Sequence, residues 1–234
     1  MENNTIKPTA KLEQMKNEVE EIHERILEYC KNNKELDSIY KGRVIYWSQL
    51  FINPSILYFG INPGGSWGRL VEKEYLEPYQ KKRTEDDPFK KDLRECFNAI
   101  KKPEYMETMV FTNRYFFATD NKNKLEKFFK IIEDNYSEIG FSEKYEVKNK
   151  QVEWTRTFIN ELSPKIIIAG GIYLKDKFNP IFPENKKTLY NSKNIRVLEI
   201  NGFKLIVYRR IHNSMSNETK DEFKECLRKY TNEI

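Results

Sequence analysis

Residues 55–68 read Ser-Ile-Leu-Tyr-Phe-Gly-Ile-Asn-Pro-Gly-Gly-Ser-Trp-Gly. An unbroken apolar run that follows Asn53-Pro54 and ends on a glycine predicts a short strand buried on both faces, because a strand with one wet face alternates polar and apolar residues. The same pattern recurs at Met109–Phe117, and at Lys165–Ala169 between Ser163-Pro164 and Gly170-Gly171. It recurs twice more at Arg196–Ile200 and Phe203–Tyr208, which Asn201-Gly202 separates. Asn-Gly between two apolar runs signals a hairpin, since both residues tolerate the positive φ of its tight turn. Helical patterning fills the intervals over 88–101, 121–135 and 149–162, and a last helix over 217–232 follows the N-cap residue Ser216.

Strands alternating with helices predict an α/β fold, a three-layer α/β/α sandwich around a central, mostly parallel sheet of four to five strands. Upstream, Leu12, Met15, Val19, Ile22, Ile26 and Tyr29 recur at steps of three and four, with Lys16, Glu20 and Glu24 between them. This predicts an amphipathic helix over 9–33, capped by Thr9 and docked on its own domain. The chain thus divides into an N-terminal helical extension, 1–40, and an α/β domain, 41–234.

Composition excludes several classes. The 234 residues are 14% aromatic, a load that disordered chains lack. No apolar run approaches the ~20 residues of a membrane span. The opening stretch MENNTIKPTAKLEQ has no apolar core of a secretory signal, so a cytoplasmic monomer is expected. Cys30, Cys96 and Cys226 form no CxxC pair, and His23 and His212 are the only histidines, so neither a metal nor another cofactor is expected. The net charge of +5 is a mild lean toward anionic partners.

In an open α/β sheet ligands bind beyond the carboxyl ends of the strands. That rule selects Gly60–Gly68, Thr112-Asn113-Arg114 and Arg209–Ser216, while Tyr58 and Phe59 read as core. The glycine loop has neither GxGxxG spacing nor the lysine of GxxxxGK[ST], which disfavours a nucleotide triphosphatase. The absence of HxE and PCxxC disfavours a zinc deaminase.

The three segments together resemble the uracil-DNA glycosylase superfamily over residues 52–232, in particular its mismatch-specific and single-strand-selective monofunctional branches. Gly60-Ile61-Asn62-Pro63-Gly64 is similar to the first motif, GINPG or GMNPG, and His212-Asn213-Ser214 to the second, commonly His-Pro-Ser. The resemblance implies hydrolysis of the N-glycosidic bond of uracil or another modified base in single- or double-stranded DNA, after base flipping. It implies that Asn62 positions the attacking water and that His212 donates to the base oxygen as negative charge develops there. Trp67 would stack on the flipped base and Asn113 would read its polar edge, with Gly60, Ile61, Pro63, Gly64 and Ser214 completing the base site. Met215 would take the place of the wedge that fills the vacated stack, and Lys81, Lys82, Arg83, Arg209 and Arg210 would meet phosphates. Two departures stand out: Asn213 replaces the usual proline, and Gly64-Gly65-Ser66-Trp67-Gly68 is one residue longer than the relatives' GPFG. They leave two alternatives open, a non-catalytic nucleic-acid-binding module on the same fold and a glycosylase for hypermodified phage bases.

Overall fold

The computed structural model describes residues 8–46, 48–51, 53–61, 88–171, 180–182, 186–210 and 214–232. Helix α1 (Ala10–Cys30) begins where the sequence predicts, with the Thr9 hydroxyl accepting from Leu12 N at 3.3 Å. Its stripe of Leu12, Met15, Val19, Ile22 and Ile26 is buried. Each such side chain contributes roughly 1.5–3 kcal/mol on burial, far more than the marginal stability of an isolated helix of this length. Polar contacts fix the docking direction onto helix α5 (Glu146–Leu162): Thr9 Oγ1 donates to Glu161 at 2.7 Å, and Trp154 Nε1 donates to Glu18 at 2.9 Å. His23, on the same face, is buried with Nδ1 2.5 Å from the Tyr40 hydroxyl, so it serves packing between α1 and the short helix α2 (Lys34–Ile39). Burial drives the Tyr40 hydroxyl pKa well above the usual tyrosine value. The N-terminal segment therefore shares one hydrophobic core with the sheet face it covers.

The remaining elements in chain order are β1 (Ile56–Gly60), α3 (Pro88–Ala99), a 3₁₀ turn (Pro103–Met106), β2 (Val110–Asn113), α4 (Lys122–Asp134), α5, β3 (Ile166–Gly170), β4 (Lys186–Asn191), β5 (Ile195–Ile200), β6 (Phe203–Tyr208) and α6 (Asn217–Thr231). They form a six-stranded sheet in the order β2-β1-β3-β6-β5-β4. Strands β2, β1, β3 and β6 are mutually parallel, and β5 and β4 extend the sheet antiparallel. Helices α1, α2, α4 and α5 cover one face. Helices α3 and α6 cover the other, giving the α/β/α sandwich. Alternation along β1 sends Leu57 and Phe59 to the α5 face and Ile56 and Tyr58 to the α3/α6 face. None of the described helices is long and apolar enough to cross a membrane.

The sheet has six strands where four to five are expected, because β4 escapes notice in the sequence. As an edge strand it buries little, so its residues Lys-Lys-Thr-Leu-Tyr-Asn carry no apolar run. Strand β2 is shorter than the Met109–Phe117 run. Beyond Tyr115 the chain leaves β1 and pairs with residues 41–44 instead: Val44 N donates to Phe116 O at 2.7 Å and Lys41 N to Ala118 O at 2.9 Å. Its aromatics remain buried there, Phe116 stacked on Trp154 at 6.1 Å between ring centres.

Candidate functional site

All four parallel strands end at one edge, and backbone bonds pin them up to the residues where the connecting segments depart. Arg114 N donates to Gly60 O and Tyr115 N to Ile61 O, both at 2.9 Å. Gly171 N donates to Tyr208 O at 2.9 Å, and Arg209 N to Asn194 O at 2.7 Å. The strand following β1 lies on one side of it, and the strand paired with β3 on its far side, β6, comes later in the chain. The gap between β1 and β3 is thus a topological switch point, where open sheets hold ligands. Segment 62–87 leaves from β1 and segment 211–213 from β6, two strand spacings or roughly 10 Å away.

Across this edge, on the α3/α6 face, the register aligns Asn113, Gly60, Gly170 and Tyr208 in one row. The two central members lack side chains, and their outer neighbours lean over them. The Asn113 Oδ1 lies 2.5 Å from where a Cβ on Gly60 would stand, so Gly60 is required for close approach. Asn113 is only 2% exposed, yet its Nδ2 has no hydrogen-bond partner among the described residues. An orphaned buried amide costs about 1–3 kcal/mol, and such a cost is tolerated where the group awaits a ligand.

Beside it, Tyr58 and Tyr208 bridge over Gly170 with their hydroxyls 3.2 Å apart. Burial first, then the neighbouring Tyr58, raises the Tyr208 pKa well above the usual tyrosine value, so Tyr208 supplies a neutral hydroxyl. A Cβ on Gly170 would overlap the Tyr58 hydroxyl and would stand 3.0 Å from that of Tyr208 and 3.1 Å from Arg210 Cδ. Gly170→Ala is accordingly expected to cost about 1–3 kcal/mol of overpacking strain. Tyr58→Phe, which removes the clashing oxygen, should recover part of that loss in the double variant. Urea unfolding of the four proteins measures the coupling, and simple additivity would refute the contact.

On the opposite sheet face Arg114 is buried at the end of β2. Its Nη1 donates to Gln151 O and to Thr155 Oγ1, both at 3.2 Å, and the guanidinium stands 4.9 Å from the Tyr115 ring centre. Burial lowers its pKa to about 10, which still leaves a full positive charge at neutral pH. Gln151 uses Oε1 to hold Phe116 N at 3.0 Å, while its Nε2 lacks a partner among the described residues. The strand-end rule selects Arg114 within Thr112-Asn113-Arg114, without a role, and gives no signal for Gln151.

The sequence-predicted residues fall into three groups. Gly60, Ile61, Asn113, Arg209 and Arg210 meet at the carboxyl edge, with Arg209 and Arg210 partly exposed. Met215 is 6% exposed and packs in the core between sheet, α3 and α6, which corrects its expected role: a wedge must project, and this side chain fills a seam. Its backbone N donates to buried Asp92 on α3 at 2.6 Å, and Asp92 also pairs with Lys220 of α6 at 2.6 Å. Ser214 lies one residue before that anchor and is partly exposed. Asn62, Pro63, Gly64, Trp67, Lys81, Lys82, Arg83 and His212 lie outside the described residues. Among known proteins, no family model matches the chain and no curated sequence matches it.

Proposed function

We propose that the protein is a monofunctional DNA glycosylase that hydrolyses the N-glycosidic bond of uracil or another modified base flipped from DNA. The observation that supports it best is the buried Asn113 amide, with Nδ2 unpartnered among the described residues, at the strand end paired with Gly60, two residues before Asn62 in the chain. An amide presents a donor and an acceptor side by side, which suits the polar edge of a pyrimidine such as uracil. The surrounding groups are tyrosine hydroxyls and glycine backbone, a setting in which a donor aimed at developing negative charge gains strength from low dielectric.

In the proposed reaction the bond between the base nitrogen and the sugar carbon breaks first, and its electron pair leaves with the base. His212 donates a hydrogen bond to the base oxygen that takes up the charge. Asn62 holds a water against the opposite face of the sugar carbon; the water oxygen forms the new bond and loses a proton to solvent. Asn62 acts by positioning, since an amide is too weak a base to take that proton. Asn113 holds the base edge. No metal or organic cofactor takes part. The protein would act as a monomer in the cytoplasm, a reducing setting that suits its three buried free thiols.

The test is incubation with single- and double-stranded oligonucleotides carrying uracil and a panel of deaminated, oxidised and hypermodified bases, followed by alkaline cleavage of abasic sites. Asn62→Ala and His212→Ala are each expected to lower the excision rate by about 10²–10³-fold. Absence of cleavage across the whole panel overturns the reading, and salt-sensitive DNA binding without cleavage would leave a non-catalytic binding module in its place.

A further inference from the structure

Between Lys186 and Arg210 the chain carries seven basic residues and one acidic residue, Glu199. This surplus of six exceeds the +5 of the whole protein, so the rest of the chain is slightly acidic on balance. The fold gathers that surplus on strands β4 to β6 at one side of the sheet. The β4–β5 hairpin turns at Asn191–Asn194, and the bond from Arg209 N to Asn194 O places that tip at the same carboxyl edge as the candidate site.

Three cations meet at this corner. Lys193 is exposed at the hairpin tip. Arg196 stands between Ile195 and Val197, which pack toward α3 and α6, so its side chain lies on the other face. Arg209 follows Tyr208, whose ring meets Phe223 of α6 at 5.2 Å, and so shares the face of Arg196. With Arg196 opposite Val207, the two arginines are diagonal neighbours across the antiparallel pair, roughly 7–8 Å apart. None of the three has an ion-pair partner among the described residues. The nearby acids are engaged elsewhere: Glu199 faces Lys187 and Lys204 at the far end of the strands, and Glu222 accepts from the Tyr190 hydroxyl at 2.6 Å. Like charges set side by side without acids between them repel, and an anion seated between them removes the penalty.

We propose that the β4–β5 hairpin is a docking arm for the sugar-phosphate backbone of a DNA strand crossing the β1/β3 crevice, with Lys193, Arg196 and Arg209 as its phosphate contacts. This deepens the DNA-directed reading above and rests on it. A nucleic-acid strand fits better than a membrane surface because the cations line a corner continuous with the crevice.

The experiment is fluorescence anisotropy of labelled single-stranded and duplex DNA against the full chain over a range of salt concentrations. Each lost phosphate contact lowers the slope of log K against log salt by about 0.7 on single strands and about 0.9 on duplex. The Lys193→Ala/Arg196→Ala variant is therefore expected to lose about 1.4 or 1.8 from the slope and at least about tenfold in affinity at low salt. Lys130→Ala, on exposed α4 surface, should change neither, and matching thermal midpoints show that both variants fold. An unchanged slope in the double variant overturns the proposal, as does a loss confined to phosphatidylserine vesicles. Excision of bases with a wild-type salt response in the double variant overturns the arm and keeps the glycosylase. Loss of slope in a protein that excises no base overturns the glycosylase and keeps the arm.

Discussion

Asn113→Leu is expected to abolish most base excision, by about 10²–10³-fold in single-turnover rate, while leaving the thermal midpoint unchanged or raised. The first half follows from the loss of a preorganised donor in a dry site, which costs about 3–4 kcal/mol of transition-state stabilisation. The second half follows from the orphaned Nδ2. An apolar side chain of similar volume removes a buried unsatisfied donor and its penalty of about 1–3 kcal/mol, so the folded state gains or breaks even. Opposite signs for activity and stability mark a group kept for its ligand at the expense of the fold. Single-turnover excision and a thermal melt of the same preparation measure both. A variant that loses stability in step with activity would assign Asn113 a structural role instead.

Asp92→Ala is expected to lower stability by about 3 kcal/mol, the size seen when one partner leaves a buried ion pair. For a chain of this length that corresponds to a fall of roughly 6–12 °C in Tm. Asp92 holds two things together: it accepts from Met215 N, three residues after His212, and pairs with Lys220, which also reaches Glu95 at 2.7 Å. These two carboxylates hold the Lys220 pKa well above the ordinary lysine range. Asp92→Asn retains an acceptor for Met215 N and gives up only the charge, so it should recover about half of the lost stability. It should also recover most of the kcat that Asp92→Ala loses, because the backbone at Met215 stays clipped to α3. Equal kcat in the alanine and asparagine variants would remove Asp92 as a positioning residue.

The parts of the fold that were legible in the sequence are those whose periodicity reports burial directly. The Leu12–Ile26 stripe, the continuous apolar strands and the Asn201-Gly202 turn all stand where the pattern puts them. Asn201 adopts a φ of 44° and Gly202 a φ of 87°, the backbone that turn requires. What pattern cannot show is partnership. The run from Phe116 to Ala118 looks like more of β2, but its hydrogen bonds go to residues 41–44 and to Gln151, choices that only the assembled chain makes. Helix α2 is six residues long and behaves as a turn in the sequence, although Asn33 caps it by accepting from Leu36 N at 2.8 Å.

At the candidate site, the strand-end positions of Gly60 and Asn113 were legible because each closes an apolar run. Tyr58 and Tyr208 were not, since tyrosines within apolar runs read as core, and by burial they are. Their hydroxyls gain meaning only when β3 brings Gly170 between them. Met215 misled because the chain position of a wedge says nothing about which way the side chain turns.

The pinned strand ends separate two kinds of change that mutation can bring. Gly60, Ile61, Gly171, Tyr208 and Arg209 are tied by main-chain bonds, which replacements other than proline at a donor leave in place. Substitutions and length changes in 62–87, 172–179 and 211–213 therefore leave the anchor points of those segments in register. The scaffold is in this sense modular: grafting such a segment from another protein leaves the floor of glycine and tyrosine hydroxyls at the strand ends as it is.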